Sequence, residues 1–193
     1  MMIAIVKYNA GNIRSVKNAL DRIGVESVIT DDPKELKEAK KVIFPGVGEA
    51  GTAMRYLKDR GLDEVITSLK QPFLGICLGM QLMCSHSEEK DTTCLGIFKE
   101  KVRKFPPKGI VPHMGWNDFK KVEGPLFDGI DKRANMYFVH SYYVEVGPDT
   151  IGETDYLVPF TSALQKDNFY GVQFHPEKSA DVGQKLLKNF LEL

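Results

Sequence analysis

The sequence predicts an α/β fold: a mainly parallel central sheet flanked by helices, with antiparallel strands added. Three observations predict it. Short apolar runs alternate with amphipathic helical patterns through the first half of the chain. The middle carries more Pro and Gly between alternating strand-like runs, and an apolar helical stripe closes the chain.

The first run, Ile3 to Val6, reads as a buried strand, and Val16, Leu20 and Ile23 follow as the inward face of a helix. Val25 to Thr30 reads as a second strand. After it, Asp32-Pro33-Lys34-Glu35 supplies an N-cap, a proline at the first helical position and a capping-box glutamate. Val42 to Phe44 forms a third strand. Leu62, Val65, Ile66 and Leu69 fall at i, i+3, i+4 and i+7, a helical face leading into a fourth strand at Phe73 to Ile76. From about Leu95 to Val146 the alternating runs, such as Met136 to His140, predict antiparallel strands beside the parallel core. Val182, Leu186, Leu187, Phe190 and Leu191 mark a closing helix. With no repeat, low-complexity tract or linker, residues 1–193 read as one domain.

Composition excludes several classes. The 26 basic and 26 acidic residues cancel, so there is no electrostatic footprint for nucleic acid or an anionic membrane. No apolar run could span a bilayer, and Met1 to Val6 is too short for a signal peptide, which makes cytoplasm the expected compartment. Three cysteines, Cys77, Cys84 and Cys94, form neither a metal-like CxxC pair nor an even disulfide set. No cofactor and no metal are expected, because no His/Cys/Asp cluster has ligand-like spacing.

The chemistry concentrates at Gly75-Ile76-Cys77-Leu78-Gly79-Met80-Gln81, where a cysteine sits at a sharp strand-to-helix turn. Flanking glycines relieve the crowding of such a turn, and the helix N-terminus favours a thiolate. A cysteine taken alone is more often a packed small hydrophobe. What favours a nucleophile is Gly171-Val172-Gln173-Phe174-His175-Pro176-Glu177, which places a carboxylate two residues beyond a histidine. In an extended segment those two side chains point the same way, and Pro176 holds the segment out of the helical region. Glu177 would orient His175, and His175 would activate Cys77, a triad by role. The loops at Tyr8 to Asn12, Pro45 to Gly48 and Cys77 all follow predicted strands, which places one active edge at the strand carboxyl ends.

Gly-Ile-Cys-Leu-Gly-Met-Gln followed by His-Pro-Glu-Lys-Ser resembles the class I glutamine amidotransferases, whose Cys-His-Glu triad hydrolyses the glutamine side-chain amide and delivers ammonia. Tyr8-Asn9-Ala10-Gly11-Asn12, Pro45-Gly46-Val47-Gly48, Pro112 to Asn117 and Tyr137 to Tyr143 resemble one branch of that family. There the glutaminase chain forms a heterodimer with a (β/α)8-barrel cyclase and serves it in histidine biosynthesis.

The resemblance implies catalytic Cys77, His175 and Glu177, and an oxyanion strand at Gly46, Val47 and Gly48 that joins the Leu78 N–H as donor. Glycine on both sides of Val47 lets that peptide rotate between inactive and active orientations, so alanine at Gly46 or Gly48 is expected to cost activity more than stability. Gln81, one turn past Cys77, is expected to touch glutamine. By the same resemblance, backbone groups of Ser141 and Tyr142 bind the amino-acid end of the substrate. Asn9, Asn12, Met114, Trp116 and Asn117 are the expected partner interface, and His86 and His113 read as surface or interface residues. Three alternatives stay open: a glutaminase serving another synthase such as anthranilate synthase, a stand-alone thiol hydrolase, and a binding protein that has lost turnover.

Overall fold

A computed structural model describes residues 2–193; Met1, which opens the segment weighed as a signal peptide, lies outside the described residues. In chain order the strands are β1 (Ile3–Val6), β2 (Ser27–Thr30), β3 (Lys41–Phe44), β4 (Phe73–Ile76), β5 (His86–Ser87), β6 (Thr92–Thr93) and β7 (Lys101–Lys104). They continue with β8 (His113–Asn117), β9 (Lys121–Val122), β10 (Met136–His140), β11 (Tyr142–Val144), β12 (Thr150–Tyr156), β13 (Val158–Lys166) and β14 (Phe169–Val172). The helices are α1 (Ile13–Arg22), α2 (Pro33–Glu38), α3 (Ala50–Asp59), α4 (Leu62–Ser68), α5 (Leu78–Met83) and α6 (Ala180–Glu192).

The central five strands run in the order β2-β1-β3-β4-β14 and are parallel. Beyond β14 the sheet continues through antiparallel β13, β11 and β7, with β12 and β9 branching from β13. Strands β1, β3, β4 and β14 are buried on both faces, as helix-covered strands must be. Ala4, Val42, Phe44 and Phe73 point to one side, against Leu36, Met54, Leu57, Leu62 and Ile66 of α2 to α4. Ile3, Ile5, Ile43, Leu74 and Val172 point to the other, against Val16 and Leu20 of α1 and Leu186, Leu187 and Phe190 of α6. The period-2 alternation thus sorts one sequence into two cores.

The second strand begins two residues later than expected. Gly24, at φ +75°, ends α1: its N–H donates to Asp21 O and the Val25 N–H to Leu20 O, so Val25 still belongs to the helix cap. Asp32 does cap α2, accepting from Lys34 N at 2.7 Å, but Thr30 Oγ1 takes the Asp32 N–H that a capping-box Glu35 would have taken. Helix α3 has no counterpart among the expected elements; half of its buried face, Ala50 and Ala53, is alanine, which leaves only Met54 and Leu57 as a periodic signal.

Met136–His140 is a strand, but it does not join the main sheet. It pairs with β8 in a separate antiparallel ribbon, whose Met136 and Phe138 pack into the α1/α6 core beside Phe174. The Tyr137 carbonyl accepts the His175 N–H at 2.9 Å, docking that ribbon on the segment after β14. The same segment is extended only as far as His175 (φ −103°, ψ 93°), because Pro176 starts a 3₁₀ turn, Pro176–Lys178. Proline constrains the residue before it to extended backbone while its own φ suits a helical first position.

Candidate active site

The carboxyl ends of β1, β3, β4 and β14 all open toward one place, and each contributes. Cys77 ends β4 in a conformation side chains rarely adopt, φ 53° and ψ −110°, and serves as the cap residue of the six-residue α5. The turn is tight enough to require glycine on both sides. A Cβ on Gly75 would lie 2.8 Å from Met80 N, and one on Gly79 would strike the Phe44 carbonyl. The elbow is thereby pressed against β3, and the nucleophile is held 7% exposed at the pocket floor.

After β14, His175 is fully buried, and its Nδ1 lies 2.8 Å from Glu177 Oε1. A 3₁₀ turn therefore achieves what an extended segment was expected to do. Ser179 locks it, donating to His175 O at 2.6 Å and accepting from Tyr137 N at 2.9 Å. Burial works against a charged His175 ring, yet the negative charge available on Cys77 and the Glu177 carboxylate outweigh it and raise the pKa to about 10. Nε2 has no hydrogen-bond partner among the described residues. The thiol instead points at the Val139 carbonyl, 3.9 Å away.

The N–H groups expected as oxyanion donors are not presented together. The Leu78 N–H donates to Gly46 O at 3.2 Å, and in a trans peptide the following Val47 N–H points the opposite way. Gly48, at φ +119°, carries the unusual torsion, whereas Gly46 is glycine for want of space: a Cβ there would lie 2.7 Å from Gly79 N, 2.8 Å from Leu78 Cβ and hard against the Tyr8 hydroxyl. At Gly46 this counts against the expectation that alanine costs activity more than stability, because the methyl has no room. Val47, Gly48, Cys77, Leu78, Gln81, Ser141 and Tyr142 nevertheless line one cavity of about 320 Å³.

Gln81 is buried and directs Nε2 to Tyr142 O and to Gln173 Oε1, both at 2.9 Å. Gln173 in turn donates to Cys77 Sγ at 3.6 Å. The carbonyls of Ser141 and Tyr142 are already engaged, by Phe105 N at 3.1 Å and by Gln81 and His140 respectively, which leaves their N–H groups for any ligand. Two residues of the site escape sequence reasoning. Gln173 carries a usable signal, since it stands two before His175 on the same side of the chain; Glu89, whose carboxylate reaches the cavity wall, carries none nearby. Burial raises the Glu89 pKa, against the lowering effect of the Ala50 N–H it accepts at 2.7 Å.

The expected interface residues separate. Met114 and Trp116 are exposed, at 63% and 55%, and Asn9 is exposed as well. Asn117 is half-buried, its amide donating to Asp155 O at 3.1 Å. Asn12 is not a surface residue: it is 5% exposed, and its amide donates to Glu177 Oε1 at 3.2 Å, because the loop after β1 closes over the catalytic carboxylate. His113 is not a surface residue either. It is 3% exposed and stacked on Tyr156 with ring centroids 4.0 Å apart. His86 does lie near the surface, 2.8 Å from Asp91. Among the described residues there is no cluster of three or more metal-ligating side chains, and no helix is long and apolar enough to cross a membrane.

A thiol on a strained strand-to-helix turn, backed by a buried His–Glu pair at the carboxyl edge of a parallel sheet, defines a cysteine-dependent hydrolase or acyl-transfer site. Comparison with known proteins sharpens that class. Residues 4–193 match the family described as "Glutamine amidotransferase class-I". The chain is 59% identical to the imidazole glycerol phosphate synthase subunit HisH of Bacteroides thetaiotaomicron, and 48% identical to that of Escherichia coli, each over the whole of both chains. In fold it is similar to the solved structure of PurLQS from Thermotoga maritima, with a TM-score of 0.74 at 16% identity over 99% of this chain and 97% of that one. The chain belongs to the class I glutamine amidotransferases, within the HisH family of imidazole glycerol phosphate synthase subunits. It is one chain of an enzyme, and the open alternatives of another synthase or a lost activity give way to that assignment.

Proposed function

We propose that this chain is the glutaminase subunit of an imidazole glycerol phosphate synthase, acting as one domain over residues 1–193 with Cys77, His175 and Glu177 as its triad. Cys77 attacks the side-chain carbonyl of glutamine. The resulting oxyanion is met by the Leu78 N–H and by a donor from the Gly46 to Gly48 strand once that strand has turned. His175 protonates the amide nitrogen of the tetrahedral intermediate, which leaves as ammonia, and then helps water to hydrolyse the γ-glutamyl thioester, releasing glutamate. Glu177 and, behind it, Asn12 hold the imidazole in place. Glu89 supplies the negative charge that the substrate ammonium needs, and the N–H groups of Ser141 and Tyr142 suit its carboxylate.

Free ammonia would be lost to solvent, so the chemistry calls for an acceptor. We assign that role to a (β/α)8-barrel cyclase subunit in a cytoplasmic heterodimer, docked on Met114 and Trp116. With ammonia the cyclase would convert a phosphoribulosyl formimino carboxamide ribonucleotide into imidazole glycerol phosphate and an aminoimidazole carboxamide ribonucleotide. The single observation that carries the reading is the buried His175–Glu177 pair, held Nδ1 to Oε1 at 2.8 Å, next to Cys77, which lines one cavity together with Gln81.

The test is glutamate release from glutamine by the purified chain alone, then with the cyclase and its ribonucleotide, with Cys77→Ala as control. Strong activation by the liganded partner supports the reading. Equal turnover without the partner would make the chain a stand-alone hydrolase.

A further inference from the structure

Beneath the pocket, two histidines outside the triad form a hydrogen-bonded chain that can run in only one direction. His140 Nδ1 lies 2.7 Å from the Tyr142 carbonyl, which can only accept, so Nδ1 carries the proton. Nε2 of the same ring is then an acceptor, and His113 Nδ1, 3.0 Å away, must donate to it. His113 Nε2 is left to accept from Asn117 Nδ2 at 3.4 Å. Neither ring can swing out of this arrangement. His113 lies between Tyr156 and Phe138, and His140 packs against Phe105 and Phe160. Burial keeps both rings neutral, lowering His113 to about 4 and His140 to about 3, the latter despite its bond to Tyr142.

His140 itself lines the cavity, and the Tyr142 carbonyl ties it to Gln81. That carbonyl accepts from His140 on one side and from Gln81 Nε2 on the other. The second hydrogen of Gln81 Nε2 goes to Gln173 Oε1, so both amide hydrogens of Gln81 are used inside the protein. What Gln81 offers to the cavity it lines is its oxygen, an acceptor for an N–H of the ligand. An acceptor at that point of the wall favours a carboxamide over the carboxylate of the product.

We propose that His140 is a positioning residue for the glutamine pocket: its Nδ1–H, in the tautomer set by His113 and Asn117, fixes the Tyr142 carbonyl and through it the polarity of the Gln81 amide. The proposal deepens the glutaminase reading and rests on it.

Three variants separate positioning from packing. His140→Asn places an amide where Nδ1 stood and keeps a donor for Tyr142. His140→Gln places the amide at the Nε2 position and loses that donor, and His140→Phe keeps only the ring. With the partner-stimulated enzyme, His140→Phe and His140→Gln are expected to raise KM for glutamine about tenfold, the scale of one lost hydrogen bond, with kcat within about threefold. His140→Asn is expected to restore most of the KM. Unchanged KM in the Phe and Gln variants, or no recovery in the Asn variant, would overturn the proposal. Should the Phe variant not fold, the Asn and Gln pair carries the comparison, with thermal melts as control. Nitrogen-15 NMR of the wild-type rings gives a reading independent of turnover: His140 must be protonated at Nδ1 and bare at Nε2 at neutral pH, and the other tautomer or a doubly protonated ring would refute the chain. A wild-type enzyme that forms this tautomer but releases no glutamate would sink the glutaminase reading instead.

Discussion

The backbone N–H of Leu78 donates to the Gly46 carbonyl at 3.2 Å, across the mouth of the elbow that holds Cys77. A donor that the tetrahedral intermediate requires is therefore occupied, and the Val47 N–H behind that carbonyl faces away from it. Cys77 and the His175–Glu177 pair are in place, with the thiol still turned toward Val139, while the expected oxyanion donors are closed off. In the proposed reaction the Gly46–Val47 peptide rotates about Gly46 ψ and Val47 φ, and Gly48, already at φ +119°, is the flexible neighbour that lets the strand beyond it adjust.

The two glycines of that strand should fail differently. Gly48→Ala has room for its Cβ but strains a positive φ, so it should lower partner-stimulated glutaminase activity by about 100-fold, the worth of one oxyanion donor, at a cost of about 1–3 kcal/mol in stability. Gly46→Ala drives a methyl into Gly79 N and the Tyr8 hydroxyl, and should show the larger drop in melting temperature. Steady-state rates and melts on both variants check this. Full stimulated turnover in Gly48→Ala would show that the strand needs no such adjustment there.

The His175 ring should titrate far from an ordinary histidine. Its folded pKa, about 10, lies above the unfolded value of about 6.5, so the stability it contributes is complete below about pH 6.5 and is lost as pH rises through about 10. In Cys77→Ala the opposing charge is gone while burial remains, and the His175 pKa should fall. NMR titration of the ring in both proteins measures the shift. A wild-type ring titrating near 6.5 would show that thiol and imidazole are not coupled.

The parts of this site that can be read from the sequence are those built from neighbours in the chain. Gly75, Cys77 and Gly79 announce an elbow because steric crowding acts within a few residues, and His175 and Glu177 pair over a spacing of two. The parallel core is legible through β4 for the same reason, since each of those strands carries its own apolar run, whereas β14 at Phe169–Val172 is not among the expected strands. What stays hidden depends on chain segments meeting from afar. Nothing near Asn12 says that its amide will reach Glu177, and nothing near His113 says that Tyr156 and Phe138 will enclose it. The ribbon of β8 and β10 misleads for a related reason: alternation identifies a strand but not the strand it will pair with.

Asn12 supports the Glu177 carboxylate at the very oxygen that faces His175. Its Nδ2 lies 3.2 Å from the oxygen of Glu177 that also binds His175, while Glu177 Oε2 has no partner among the described residues. Asn12→Ala removes a buried hydrogen bond to a charged group, worth about 1.5–3 kcal/mol, and should lower kcat by about 10- to 100-fold with KM little changed. Asn12→Asp should be worse, since it sets a second carboxylate against Glu177. Wild-type kcat in the Asp variant would mean that Glu177 needs no such support.

Trp116 tests the partner rather than the chemistry. It is 55% exposed, and its ring meets the edge of Tyr137 with centroids 5.9 Å apart, so the fold gains little from it. A large aromatic left in solvent beside the exposed Met114 is the kind of anchor that dominates interfaces. Trp116→Ala should therefore leave the melting temperature of the isolated chain almost unchanged and weaken cyclase binding by at least about 2 kcal/mol, about 30-fold in Kd. At saturating cyclase the stimulated glutaminase rate should recover, because the triad is untouched. Titration calorimetry on the variant, followed by rates at saturation, separates the two effects; wild-type affinity would place the cyclase on another face of the molecule.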